Sequence, residues 1–302
     1  MSPDRYGAWG ASKGQLYAET AYDLWEKLKA FQGIALTIPH TPAMVGDSPA
    51  EDHETDWNAI NQDFMRNVEI YSKWGSSEGI APVGVNCPVA DNPHNYDSNT
   101  FDNSLAMKNV LYERWIKQGD DRFLLSFIGG TDNHWGKPAI YDYPGPAGDM
   151  PYPGSVTGII ASSLTRESLW SGLWNRHTLA ASASPTADRT PLLFAVETGG
   201  KHLFMGDLGQ HNGSARIRVL AEESVEKIDV ILDGCLYKSV SGNQFDETIT
   251  LSEGRHYIYV RGSLHEEYNG KMDERVIWSS PVYLYGLTAF PTGELRGKVL
   301  KD

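Results

Sequence analysis

The spacing of apolar positions changes character near residue 190. Before it, helix-like spacings of three and four alternate with short apolar runs of strand length. After it, apolar and polar residues alternate singly between turn signals. Gly14 to Phe31 places Ala18, Ala21, Tyr22, Trp25 and Leu28 on one stripe, with Gly33 positioned to end a helix. Ile34 to Ile38 is a β-branched run that reads as a buried strand. NVEIYS, Asn67 to Ser72, is the next, with Val68 and Ile70 on one side and Glu69 and Tyr71 on the other. Asn103 to Gln118 reads as a second helix, with Met107, Val110, Leu111, Arg114 and Trp115 as its stripe and Gly119 as its stop. Phe123 to Ile128 and Val156 to Ala161 read as strands. Thr165 then caps a third helix that buries Leu169, Trp170, Leu173 and Trp174.

A helix leading into a strand, followed by two strand–helix alternations, predicts a parallel β/α architecture. The second region predicts short strands at Leu192–Glu197, Ala215–Ala221, Ile228–Asp233, Leu236–Val240, Thr248–Leu251, Tyr257–Arg261 and Val276–Tyr285. Asp233-Gly234 between two of them is a type I′ hairpin signal. This spacing resembles an antiparallel sandwich of the immunoglobulin or fibronectin kind. SASPTADRTP reads as a linker, so a boundary is expected between Ser184 and Pro191, and limited proteolysis is expected to cut there first.

Composition narrows the function classes. The 302 residues leave room for two domains or one large barrel. A net charge of −13 argues against nucleic-acid binding through a basic face. No apolar run reaches membrane-spanning length. The two cysteines, Cys87 and Cys235, are far apart and form no CxxC. A disulfide framework or a cysteine-rich zinc site is therefore not expected to organise the chain.

The candidate chemistry sits where strands are expected to end. His40 follows Ile34–Ile38 in the stretch PHTP. Gly129 and Gly130 close the Phe123–Ile128 run, and Asp132 and His134 follow. Parallel β/α sheets carry their chemistry on such loops, and an Asp-x-His pair supplies oxygen and nitrogen donors for one cation. Each residue alone reads as an ordinary loop side chain, Asp132 hydrogen-bonding its own backbone and His40 in a proline-bounded turn. Three on one face weaken that reading. His94 lies in a long polar loop from Gly75 to Asp102. Residues 135–155, with Tyr141, Tyr143 and Tyr152, read as a lid, a substrate wall or a packed surface loop. His202, His211, His256 and His265 show no ligand spacing and read as structural or surface.

The stretches IPHTP, VEIYSKWGSSE, GGTDNHWGKP and LTRESLWSGLWNRHTLAAS, in this order and spacing, resemble the later half of the polymerase-and-histidinol-phosphatase (PHP) metal-dependent phosphoesterases. The chain looks most like a PHP-like branch with a β-sandwich tail, in which MGD at Met205–Asp207 and WSSPVYL at Trp278–Leu284 also look familiar. The resemblance implies an α/β plus all-β chain. Residues 1–185 would form the C-terminal part of a distorted (β/α) barrel, and 190–302 an immunoglobulin-like sandwich. It implies divalent metal (Mn, Zn or Fe) held by His40, Asp132 and His134, with Asp132 and His134 also catalytic. Glu69 and Arg166 would contact a small phosphoester. The family's early strands supply a His-x-His pair and further ligands, whereas no histidine precedes His40 here. The resemblance therefore implies a truncated hydrolase that binds at most one metal, weakly, and turns over phosphoesters poorly. The alternative is a non-catalytic scaffold whose sandwich is a binding module.

Overall fold

The structure, a computed structural model, describes residues 18, 20–30, 34–45, 55–91, 101–132, 154–182, 191–268 and 271–286. Helix α1 (Ala21–Ala30) begins where Thr20 Oγ1 accepts from the Asp23 N–H, with Asp23 in its first turn and Lys27 and Lys29 in its last. Strand β1 (Asn67–Ser72) turns at Gly75 (φ +107°) into the two-residue β2 (Gly75–Ser76). A 3₁₀ turn at Asn103–Leu105 leads into α2 (Met107–Leu111), which widens into a π-helical segment at Tyr112–Lys117. Strand β3 (Ser126–Gly129) follows and pairs in parallel with β1, so β1, α2 and β3 form one genuine β/α crossover.

From there nearly all the strand pairing is antiparallel. Strand β4 (Ser155–Ile159), α3 (Arg166–Trp174) and β5 (Thr178–Ser182) form a hairpin with a helix in its connection, since β4 and β5 pair antiparallel. Then come β6 (Leu192–Thr198), β7 (Lys201–Phe204), β8 (Leu208–His211), β9 (Ser214–Ala221), β10 (Lys227–Leu232), β11 (Cys235–Ser241), β12 (Gln244–Thr250), β13 (Arg255–Tyr268), β14 (Lys271–Ser279) and β15 (Val282–Gly286). Asp233 and Gly234, at φ +53° and +82°, make the β10–β11 turn, as a type I′ hairpin requires. One sheet runs β12-β9-β6-β7. A larger one runs β11-β10-β13-β14-β5-β4, with β15 beside β13 and β8 in parallel beside β15.

The large sheet is the middle layer of three. One face packs Ile228, Val230, Ile258 and Val260 against Phe194, Ile217 and Val219 of the four-stranded sheet. The other packs Tyr257, Tyr259, Trp278 and Tyr283 against Val68, Ile70, Tyr71, Trp115 and Phe127 of the β1–α2–β3 unit. Polar atoms lock this second interface. Tyr283 Oη donates to Leu125 O at 2.6 Å, and the Leu125 N–H donates back to it at 3.0 Å. Fully buried Glu78 accepts from Tyr259 Oη at 2.5 Å, Trp278 Nε1 at 2.9 Å and Arg261 Nη1 at 3.2 Å, with Lys108 Nζ 3.4 Å away. Arg261 Nη2 reaches Asp91 at 2.7 Å and Asp229 at 3.0 Å, and Lys108 also pairs with Asp91. Each charge of this cluster thus has opposite charge beside it, the condition for burying such groups at all.

The expected barrel is not formed. Among the described residues there are three short α-helices and several open sheets, and the first region's β4 and β5 are strands of the large antiparallel sheet. Alternation misled because α3 only fills the connection of an antiparallel pair, which a pattern of strand and helix periods does not exclude. Its expected buried stripe is half-buried. Only Gly172 is fully buried, where a Cβ would meet Ile159 Cγ2 at 2.5 Å. The cysteines also differ from expectation. Cys87 and Cys235 form a disulfide across 148 residues, closing residues 80–91 onto the β10–β11 turn. The expected boundary at Ser184–Pro191 lies mostly outside the described residues, and the large sheet contains strands from both sides of it.

Candidate functional site

The parallel pair β1–β3 brings three sequence-selected residues to one end. Residues 34–40 run beside β1, with the Thr37 N–H donating to Phe64 O at 2.8 Å and the Glu69 N–H to Pro39 O at 3.2 Å. His40 therefore emerges next to Glu69. Glu69 is in register with Ile128 of β3, and Asp132 lies just beyond that strand. The pairing skips Ile70, a bulge that turns Tyr71 into the core, onto Trp278, while Glu69 stays at the site. Strict alternation had placed Glu69 and Tyr71 on one face. The bulge is why they part.

His40 Nδ1 lies 2.8 Å from Glu69 Oε1, and its Nε2 faces Asp132 Oδ1 across 3.7 Å. Glu69 Oε1 also accepts from the Thr41 N–H at 3.4 Å, and Asp132 Oδ2 accepts from Trp74 Nε1. The two carboxylates are nearly covered, with side chains 12% and 10% exposed, while the imidazole is 52% exposed. Burial disfavours the charged imidazole, but the Glu69 hydrogen bond and the Glu69 and Asp132 charges outweigh it and hold His40 above its ordinary pKa.

The backbone is unusual here. Thr41 and Asp132 sit at φ +42° and +47°, in a region that side-chain-bearing residues seldom adopt and that β-branched ones resist most. Gly130 makes room for the carboxylate, since a Cβ there would lie 2.5 Å from Glu69 Oε2. Gly129 lets β3 lean on β4, where a Cβ would lie 1.9 Å from Ser155 Oγ. Trp74 and Thr41 were not selected from sequence. Trp74 beside the Gly75 turn is the only hint the chain offers, and a surface aromatic there is commonplace.

His134 and His94 lie outside the described residues, as does nearly all of 135–155. Arg166 is the exposed first residue of α3, and no described contact joins it to His40, Glu69 or Asp132. Among the described residues, no group of three His, Cys, Asp or Glu side chains is placed to hold a metal ion. In the neutral ring, an Nδ1–H given to Glu69 leaves the Nε2 lone pair on the side of Asp132, the way carboxylates orient histidines at metal sites. A cavity of about 550 Å³ opens beside His40, walled by α1 and residues 36–39.

No family model matches the chain, and no solved structure matches it. It is 25% identical over 256 residues to an uncharacterized protein of Chlamydia pneumoniae, an alignment covering 78% of this chain and 37% of that protein. The chain thus spans 37% of the length of the curated relative it matches. No helix among the described residues is long and apolar enough to cross a membrane.

Proposed function

We propose that this chain carries part of the active site of a metal-dependent phosphoester hydrolase. The observation that carries the reading is the line Glu69–His40–Asp132 at the end of the parallel pair, with both imidazole nitrogens facing carboxylates. His40 Nε2 and Asp132 are the donors for a divalent ion of the Mn, Zn or Fe class, and His134 is the third. Glu69 is the group that orients His40, a different role from the substrate contact expected from sequence. Such an ion, when bound, lowers the pKa of its water and stabilises charge on the phosphoryl oxygens. The protein's own part is to fix the imidazole tautomer, to hold Asp132 through Trp74, and to keep the carboxylates covered. In the net reaction a water oxygen bonds to phosphorus as the ester P–O bond breaks, and the departing oxygen takes one of the water's protons.

The test is calorimetric titration of the full chain with Mn²⁺ or Zn²⁺, alongside a phosphoester panel. One ion per chain is expected to bind, and Asp132→Asn should abolish both binding and turnover. Glu69→Gln should weaken binding by roughly 10–100-fold, the usual scale for an orienting partner. Gly130→Ala, which displaces Glu69 without removing it, should fall in the same range. Gly130 has no left-handed φ, so this variant should melt close to wild type. Unchanged metal affinity in all three variants would overturn the reading.

A further inference from the structure

We infer that the cavity beside His40 binds an uncharged, apolar aryl or alkyl group. Resting on the hydrolase reading, that group is the organic part of the ester. The walls are Leu24, Trp25, Leu28, Leu36, Ile38 and Met65, contributed by α1, by the segment that delivers His40 and by the turn before β1. Among the polar side chains in the lining, Thr37, His40 and Asp56 have protein partners. Thr37 Oγ1 accepts from Trp25 Nε1 at 3.1 Å. Asp56 Oδ1 accepts from the Asn58 N–H at 2.9 Å and from its side-chain amide at 3.0 Å. Among the described residues no lysine or arginine lines the cavity. The lining itself carries the Asp56 carboxylate, and Glu69 and Asp132 stand behind the half-exposed His40.

An anion placed there would lose its hydration against apolar walls and face the Asp56 carboxylate, while the lining's His40 is already paired with Glu69 and Asp132. An apolar group meets the opposite conditions. About 550 Å³ lies within the range of sites that enclose small organic ligands between hydrophobic walls and a few polar atoms at one end. The exposed side chains point the same way. Ile38 remains 42% exposed and Trp74, the donor to Asp132, 37% exposed. Apolar surface is thus left open beside His40 and beside Asp132.

The experiment compares 1-naphthol with 1-naphthalenesulfonate, the same ring with and without a charge, by saturation-transfer NMR and calorimetry on the full chain. Naphthol is expected to bind, and the sulfonate at least about tenfold more weakly, a difference of ~1.4 kcal/mol. Ile38→Lys sits at an exposed position that the fold does not need. It should cut naphthol affinity by a similar factor and narrow the gap to the sulfonate. Asp132→Asn should leave naphthol binding unchanged. No naphthol binding, equal affinity for both probes, or insensitivity to Ile38→Lys would overturn the assignment. Naphthol binding that behaves as expected, in a chain that hydrolyses no phosphoester, would uphold the pocket and defeat the hydrolase reading.

Discussion

His40 and His256 are both histidines held by carboxylates, and their surroundings give them different work. His40 is half-exposed at an open strand end. His256 is buried, with Nδ1 2.7 Å from Asp233 Oδ2 and Nε2 3.0 Å from Ser252 O. Both ring nitrogens therefore have acceptors that the doubly protonated ring satisfies, while the Ser252 hydroxyl, 3.3 Å from Nε2, can serve the neutral ring. Burial lowers the His256 pKa, but the Asp233 hydrogen bond and charge and the Ser252 carbonyl more than reverse this, leaving it above 6.5. The stability it contributes is complete below about pH 6.5 and is lost as pH rises through its folded-state value. We expect His256→Gln to flatten the fall in melting temperature between neutral and mildly alkaline pH, with ring-proton NMR placing the midpoint above 6.5. An unchanged pH–stability profile would refute this. From sequence, His256 read only as a histidine without ligand spacing. Its Asp233 partner lies in the β10–β11 turn, brought beside β13 by strand pairing, and a scan for ligand motifs does not look there.

At the scale of elements, patterns with short reach survive folding and those that need a partner do not. The β1 strand, the Thr165 cap and the Asp233-Gly234 turn are local, and each is found where its residues place it. Strand β5 was missed, because TLAAS has small residues and no clean alternation, yet it joins β4 to β14. The disulfide was missed because distance along the chain says nothing about distance in space. Its contribution can be estimated. A cross-link closing a loop of this length restricts the unfolded chain, and losing a native bridge typically costs about 2–5 kcal/mol. Cys235→Ser is expected to lower unfolding stability by that amount in denaturant titration. A change below ~0.5 kcal/mol would mean that residues 80–91 are held by the Asp91 ion pairs alone.

For the whole molecule the decisive feature is a sheet covered on both faces. Fully burying a large apolar side chain is worth roughly 1.5–3 kcal/mol, so Tyr257, Tyr259, Trp278 and Tyr283 together represent about 6–12 kcal/mol. That is the size of a typical domain's entire net stability, about 5–15 kcal/mol. Residues 190–302 expressed alone would expose these four rings, lose β4 and β5, and leave Arg261 without Glu78. The segment is therefore expected not to fold, whereas the full chain should melt in one transition. A soluble 190–302 fragment with dispersed amide resonances would contradict this.

The sequence alone determined the strands with clean alternation, the one parallel β/α unit, and the strand-end placing of His40 and Asp132. These rest on local periodicity and on the rule that chemistry gathers where parallel strands end. Tertiary structure alone decided that the remaining alternation is antiparallel, and that Glu69 holds His40 rather than reaching outward. It also decided that Cys87 meets Cys235. Each depends on which strand lies beside which, a choice made by burial on both faces of β10, β13 and β14. The run YIYV at Tyr257–Val260 carries the trace of it, being apolar at every position, as a strand covered on both sides must be. The identity of the covering surface is a property of residues 57–127 and 192–249, far away in the chain.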